Sequence, residues 1–192
     1  MTFNFNNSKK LALTKKDKSN ISEIDLKIKD LCNKVNLFDN YFTTSSCSGR
    51  IVLIKDDNKK KPGIILFRNH EKVSLENLKK ELEIKCKEYK ELIIFKQEPC
   101  LLVISCSNKE SQWRLFNLAR NNGWKKSGIL SLDKKYLIEL ISTENISFPI
   151  INKGKLLVSD DFLKIIIKKS NKNLERGWDK IRRLENMIEK IR

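Results

Sequence analysis

The chain predicts an α+β fold (a mixed α/β arrangement): a single compact domain on a mixed sheet, with a long C-terminal helix. Three observations carry that prediction. Strand-like and helix-like segments follow one another without the regular βαβ alternation of a doubly wound parallel sheet. The six glycines (Gly49, Gly63, Gly123, Gly128, Gly154 and Gly177) are scattered. No GxGxxG turn follows a strand and no P-loop occurs, so the fold is expected to be non-Rossmann. From Asp160 to Arg192, Leu174, Trp178, Ile181, Leu184, Ile188 and Ile191 recur at helical spacing and form a stripe that must pack on the body or on a partner.

Each element has its own signal. Residues 1–19 are polar and basic, and are expected to form an N-terminal arm or irregular lead-in to a single domain spanning 1–192. A helix is predicted over Ser22–Asn36, where Ile21, Ile24, Ile28, Leu31, Cys32 and Val35 recur at spacings of three and four and Asn20 with Glu23 approximates a capping pair. Tyr41–Lys55 has strand character on both sides of a Ser-Cys-Ser-Gly corner. Asp56–Gly63 reads as an exposed turn before a strand at Ile64–Arg68. Leu75, Leu78, Leu82, Cys86 and Tyr89 align on a helix from Ser74 to Lys90. Strands at Leu92–Gln97 and Leu101–Cys106 flank Glu98-Pro99. Ser107 and Glu110 form a capping box for a helix that Gly123 ends. One or two strands are expected within Gly128–Ser142 and a short one at Lys155–Val158. The last helix has Gly177 as a candidate kink.

Lys and Arg number 40 against 24 Asp and Glu, a formal charge of +16. Such an excess on a small domain attracts phosphate polymers, so nucleic acid leads the partner classes. No apolar run is long enough to span a bilayer, and the first residues lack the apolar core of a signal peptide. A soluble cytoplasmic protein that meets no membrane is expected. The five cysteines (Cys32, Cys47, Cys86, Cys100 and Cys106) are widely spaced, without a CxxC pair, and there is one histidine. Neither a metal site nor a disulfide framework is expected. All but Cys47 lie in apolar segments and read as small core residues. Lys9, Lys10, Lys15, Lys16 and Lys59–Lys61 are candidate phosphate contacts. Trp113, Trp124 and Trp178 read as core residues sooner than as stacking platforms.

The stretch Tyr41–Arg50, YFTTSSCSGR, is the one whose composition a packed core does not require. Thr43, Thr44, Ser45, Ser46 and Ser48 carry short hydroxyl side chains, Cys47 a thiol and Arg50 a planar fork of donors. Together with Gly49 they can hold an anion or a polar planar ligand. A Ser/Thr-rich strand ending in a turn explains the same residues, and on composition alone the two readings are evenly matched.

A resemblance separates them. The segment NYFTTSSCSGRI, Asn40–Ile51, is similar to the signature of the tRNA wybutosine-synthesizing protein three family, a set of wybutosine-synthesis methyltransferases found in eukaryotes and archaea. Further elements follow in order: Asp17-Lys18-Ser19, Ile24-Asp25, Asn36, His70 after a strand, Lys96–Pro99, Gly123–Ile129 (GWKKSGI) and Ser170-Asn171. Gly177-Trp178 and Asn40 depart from the family pattern. The resemblance implies an S-adenosylmethionine-dependent enzyme of non-Rossmann fold. Its reaction would methylate N4 of a demethylwyosine-type base, carrying the 7-aminocarboxypropyl chain, at position 37 in the anticodon loop of phenylalanine tRNA. It also implies His70, Ser46 and Arg50 as catalytic residues, with Ser45, Cys47, Ser48, Gly49, Ser127 and Asn171 at the cofactor. His70 is the expected proton acceptor or base-orienting group. A non-catalytic RNA-binding module of the same fold is the alternative, and oligomeric state stays open.

Overall fold

The computed structural model describes residues 4–14, 25–57, 62–133 and 135–191. The Asn20 and Glu23 pair, Asp17–Ser19, Ile21, Ile24, Lys15, Lys16 and Lys59–Lys61 lie outside them. In chain order the elements are α1 (Phe5–Thr14), α2 (Leu26–Leu37), β1 (Tyr41–Cys47), β2 (Arg50–Lys55), β3 (Ile65–Asn69), α3 (Leu75–Glu88), β4 (Ile93–Glu98) and β5 (Leu101–Cys106). There follow α4 (Lys109–Asn121), β6 (Gly128–Ser131), β7 (Tyr136–Ile141), β8 (Ile146–Asn152), β9 (Lys155–Leu156), α5 (Asp160–Met187) and a 3-10 turn, Ile188–Ile191.

The α+β class is as expected, but the single mixed sheet is not. Among the described residues the strands form two sheets, ordered β1-β5-β7-β6 and β3-β2-β4-β8-β9, and every pairing is antiparallel. Side-chain alternation dictates which face of a strand is buried but not which neighbour it takes. The chain divides into two compact units, one per sheet. The first comprises Met1–Ser48, Cys100–Thr143 and Gly177–Arg192, and the second Gly49–Pro99 and Glu144–Arg176.

In the first unit, the expected irregular arm is helical over Phe5–Thr14. Phe5 meets Phe42 with ring centroids 5.2 Å apart, and Lys9 Nζ donates to the Phe38 carbonyl at 2.5 Å. Partial burial lowers the Lys9 pKa while Asp39 acts in the opposite direction, and the bond to Phe38 ties α1 down. Asp25 caps α2, and Ile28, Leu31, Cys32 and Val35 are buried along one face. The cap of α4 is Asn108, whose side chain accepts from Ser111 N at 2.9 Å, one residue after the predicted Ser107. The core gathers the α2 face, Leu102 and Ile104 of β5, Leu115 and Ala119 of α4, Trp124, and Ile181, Leu184 and Ile188. Trp113 instead stays 41% exposed against Phe116.

In the second unit, Ser74 caps α3 by accepting from Asn77 N at 3.1 Å, and Leu78 and Leu82 point inward. Leu53 of β2 faces Phe95 of β4, and Phe95 faces Phe148 of β8 with rings stacked 5.1 Å apart. Strand β8 escapes prediction because Pro149 interrupts its pattern. Pro149 sits opposite Ile94 beside a register shift in the β4–β8 ladder, and on its other side β9 pairs only with Ile151 and Asn152. The α5 stretch within this unit buries Leu163, Ile167, Ser170, Asn173 and Leu174. A cavity of about 540 Å³ opens between Leu82 and Cys86 of α3, Leu156, and Leu163, with Lys87 and Lys90 at its edge. Cys86, expected in the core, is therefore half-buried at this cavity. Helix α5 runs on through Gly177 without interruption. Among the described residues, no helix is long and apolar enough to cross a membrane.

Candidate active site

The hydroxyl-rich strand β1 is held from beneath by α2. Asn36 sits near the end of that helix, accepts from the Thr43 backbone N–H at 2.8 Å and donates to Thr43 Oγ1 at 3.1 Å. One turn earlier, the Cys32 thiol is hydrogen-bonded to the Ser46 side chain. At the helix start, Asp25 Oδ2 accepts from the Ser48 backbone N–H at 3.0 Å and from the Ser48 hydroxyl. Its other oxygen accepts from Lys27 N at 3.4 Å. Spacings of seven and four place Asp25, Cys32 and Asn36 on one helical face, so a single helix face sets three points of the strand.

A β-bulge between Thr43 and Ser45 shifts the register against β5, and Thr44 bonds sideways to the Val103 carbonyl at 3.3 Å. Beyond the bulge, Ser48 turns toward Asp25 at the start of α2, and the Cys47 sulfur lies within 4.8 Å of a carboxylate oxygen of the same Asp25. Ser45 is exposed and Cys47 is half-buried. Ser48 is fully buried, with its N–H and hydroxyl both spent on Asp25. Ser48 thereby shapes the corner that leads into Gly49 and Arg50. The Ser46 side chain is engaged with the Cys32 thiol.

Ser127, also expected at the cofactor, clamps a turn of the first unit. Its hydroxyl donates to the Trp124 carbonyl at 2.6 Å and accepts from Ile141 N at 3.1 Å. Both hydrogen-bonding directions are thus committed to structure.

The second unit carries the rest of the expected set. Gly49 is buried with φ 94°, a left-handed conformation that suits glycine, and it feeds directly into Arg50 at the start of β2. Arg50 lies opposite Glu98 across the β2–β4 ladder and donates from Nε to Glu98 Oε2 at 2.6 Å. Both side chains remain partly exposed, at 25% and 33%. The pairing aims the guanidinium plane and leaves its Nη groups to meet a further anion.

His70 follows β3 in a short loop pinned at both ends. Asn69 Oδ1 accepts from Glu71 N at 2.7 Å, closing a turn around the histidine. Asn171 of α5 then grips Val73 twice, accepting from its N–H at 3.0 Å and donating to its carbonyl at 2.9 Å. Lys72 pairs with Glu175 one turn further along, at 2.9 Å. Asn171, expected at the cofactor, thus ties the His70 loop to α5.

A buried polar cluster in the same unit escapes the sequence reading. Gln97 is 1% exposed, donates from Nε2 to the Glu98 and Glu144 carbonyls, and accepts at Oε1 from Asn173 at 2.8 Å. It locks the residue before Glu98, and so the partner of Arg50. The available signal was Asn173, an amide at an inward-facing helical position.

The model for the family described as methyltransferase TYW3 matches residues 6–190. A Thermococcus sibiricus protein named tRNA(Phe) 7-((3-amino-3-carboxypropyl)-4-demethylwyosine(37)-N(4))-methyltransferase is 35% identical over 193 residues, covering 98% of this chain and 96% of that one. An Archaeoglobus fulgidus protein of the same name is 32% identical over 177 residues, covering 90% of this chain and 86% of its own. A solved structure of a Pyrococcus horikoshii protein superposes with a TM-score of 0.85 at 31% identity, covering 98% of this chain and 96% of that one. This chain belongs to the methyltransferase TYW3 family.

Proposed function

We propose that the chain methylates N4 of the 7-(3-amino-3-carboxypropyl)-4-demethylwyosine base at position 37 of phenylalanine tRNA, in the cytoplasm, using S-adenosylmethionine. The observation that carries this reading is the end-to-end match to relatives that bear that name, at 35% identity over 98% of the chain, with the Tyr41–Arg50 segment intact. The formal charge of +16 supports an RNA substrate independently.

The donor set fits a carboxylate-bearing sulfonium cofactor. Ser45 offers an exposed hydroxyl, Cys47 a polarizable contact, Gly49 a backbone without a side chain, and Arg50 a guanidinium already oriented by Glu98. When bound, S-adenosylmethionine supplies an electrophilic methyl group on sulfur. Methyl transfer asks the protein for alignment and exclusion of water more than for covalent help. Arg50 neutralises a carboxylate or a phosphate with its free fork edge. His70, immobilised through Val73 and Asn171, takes up the proton that the acceptor nitrogen gives away. Ser46 and Ser48 keep the strand in register for Ser45 and Cys47, and Ser127 supports the first unit's sheet. The chain acts as one catalytic domain, because the two units are threaded through each other in sequence at 48/49, 99/100, 143/144 and 176/177.

The test uses purified protein, S-adenosylmethionine and phenylalanine tRNA from cells lacking this gene. Mass spectrometry should show the position-37 nucleoside gaining the mass of one methyl group. Retention of tRNA without binding of labelled S-adenosylmethionine would identify an RNA-binding module instead and end the enzymatic reading.

A further inference from the structure

We propose that the solvent face of the first half of α5 tracks the sugar–phosphate backbone of the tRNA. The inference rests on the tRNA reading above and names the surface that meets the substrate. Its basis is how charge is partitioned on the helix. The stretch Asp160–Arg176 has three acidic residues, Asp160, Asp161 and Glu175. Each is engaged: Asp160 by Lys79 at 2.6 Å, Asp161 by Lys164 at 3.0 Å and Glu175 by Lys72 at 2.9 Å. Lys168, Lys169, Lys172 and Arg176 are exposed, and among the described residues they form no ion pair. Every acid on this stretch is thus taken by another cation, and the four remaining charges are left together.

Their spacing fits a polyphosphate strand. Lys168, Lys172 and Arg176 are four residues apart, which on an α-helix is a rise of ~6 Å and a drift of ~40° per step. That rise is on the scale of the separation between successive phosphates of an RNA strand. Lys169 falls beside Arg176, so the four cations occupy one arc of ~100°. Ile165, 66% exposed, lies within the same arc and offers an apolar contact for a ribose. The opposite face carries the buried Leu163, Ile167, Ser170 and Leu174, which fixes the helix and keeps the cationic arc toward solvent. A random solvated face would mix its charges, because i,i+4 pairing of opposite signs is the favoured arrangement.

The test compares wild-type protein with the K168Q/K172Q/R176Q variant in tRNA(Phe) binding across a salt series. Glutamine preserves helix propensity, and circular dichroism checks the fold. In the variant the log–log salt slope should fall by roughly two to three, in line with three lost phosphate contacts. KM for tRNA should rise at least tenfold, while kcat at saturating tRNA and the affinity for S-adenosylmethionine stay unchanged. The control K80Q/K109Q/K125Q removes the same charge from exposed positions elsewhere and should leave the slope nearly unaltered. Equal slopes for variant and wild type, with wild type active, overturn the surface and leave the enzymatic reading standing. Equal losses in variant and control reduce it to bulk charge and also overturn it. Binding to vesicles rich in anionic lipid through these residues, with tRNA affinity unchanged, overturns it in favour of a membrane surface. A wild-type protein that neither binds nor methylates tRNA sinks both readings together.

Discussion

Asp25 and Ser48 are joined twice: one carboxylate oxygen of Asp25 accepts from both the backbone N–H and the hydroxyl of Ser48. The same carboxylate caps α2 through its other oxygen. One side chain therefore couples the start of a helix to the last residue before Gly49 and Arg50. Asp25→Ala removes the cap and strands two polar groups of a fully buried serine. The expected loss of stability is about 2–4 kcal/mol, from a cap of about 1 kcal/mol plus unsatisfied buried groups. Asp25→Asn keeps the cap and should cost about half as much. Urea unfolding of the two variants measures both values; an alanine variant within 0.5 kcal/mol or so of wild type contradicts the coupling.

The grip of Asn171 on Val73 makes a distinction between doing chemistry and holding a loop. His70→Ala should lower kcat by about 10²- to 10⁴-fold with substrates saturating, the usual worth of a positioned general base. Asn171→Ala should lower kcat as well, because the loop carrying His70 loses both hydrogen bonds to α5. It should also lower stability by about 1–3 kcal/mol, since the Val73 backbone groups lose their partner. Near-wild-type turnover of His70→Ala removes the histidine from proton handling. Turnover lost in Asn171→Ala without loss of stability would point to direct ligand contact.

The fold was legible where a signal is local. Ser74 announces α3 and caps it, and the Ser-Gly break between β1 and β2 falls where composition changes. Sites assembled from distant residues were not legible in the same way. Asp25 is visible as an acid ahead of a helix, but its bond to Ser48 spans 23 residues and depends on how β1 lies against α2. The Gln97–Asn173 bond spans 76 residues, and no local pattern couples two amides that far apart. Composition identified YFTTSSCSGR as unusual but could not say which hydroxyls face outward. That is decided by the bulge at Thr44 and by the α2 face beneath the strand, neither of which leaves a mark in residue type. The partition into two sheets was hidden for a related reason, since β1 and β2 look like consecutive partners yet join different sheets.

The buried thiols make stability fall in alkaline solution. Burial pushes Cys32 up from 9.0 to about 11, with the Ser46 hydrogen bond acting in the opposite direction, and pushes Cys106 up to about 12. Tyr41, buried and donating to the Ser111 carbonyl at 3.0 Å, rises from 10.0 to about 12. In each case the folded state keeps its proton where the unfolded state gives it up. Above pH 9 the unfolded chain therefore binds fewer protons, and stability decreases with rising pH until the folded-state values near 11 and 12 are reached. Each thiol contributes up to about 1.4 kcal/mol per pH unit in that window. Urea midpoints at pH 8 and pH 10.5 should differ, and Cys106→Ala should flatten the difference. A dependence unchanged by Cys106→Ala assigns the alkaline loss to other groups.

Two glycines that look alike in the sequence should respond to alanine with opposite signs. Gly154 sits at φ 70°, and a Cβ there would lie 2.7 Å from the Cys86 carbonyl oxygen. That oxygen belongs to the backbone of α3 and cannot swing away, so strain and collision add. Gly154→Ala should cost about 2–4 kcal/mol. Gly177 lies inside α5 with no positive φ, and its nearest neighbours would be Cys100 Sγ at 3.7 Å and Ser48 O at 3.9 Å, which are ordinary contact distances. The Cys100 thiol already approaches the Gly177 carbonyl at 3.7 Å and need not move. Gly177→Ala should therefore gain about 1 kcal/mol from helix propensity alone. Chemical denaturation of both variants reads the two signs directly. A destabilised Gly177→Ala protein would mean that the helix needs room at this position that the 3.7 Å and 3.9 Å separations do not reveal.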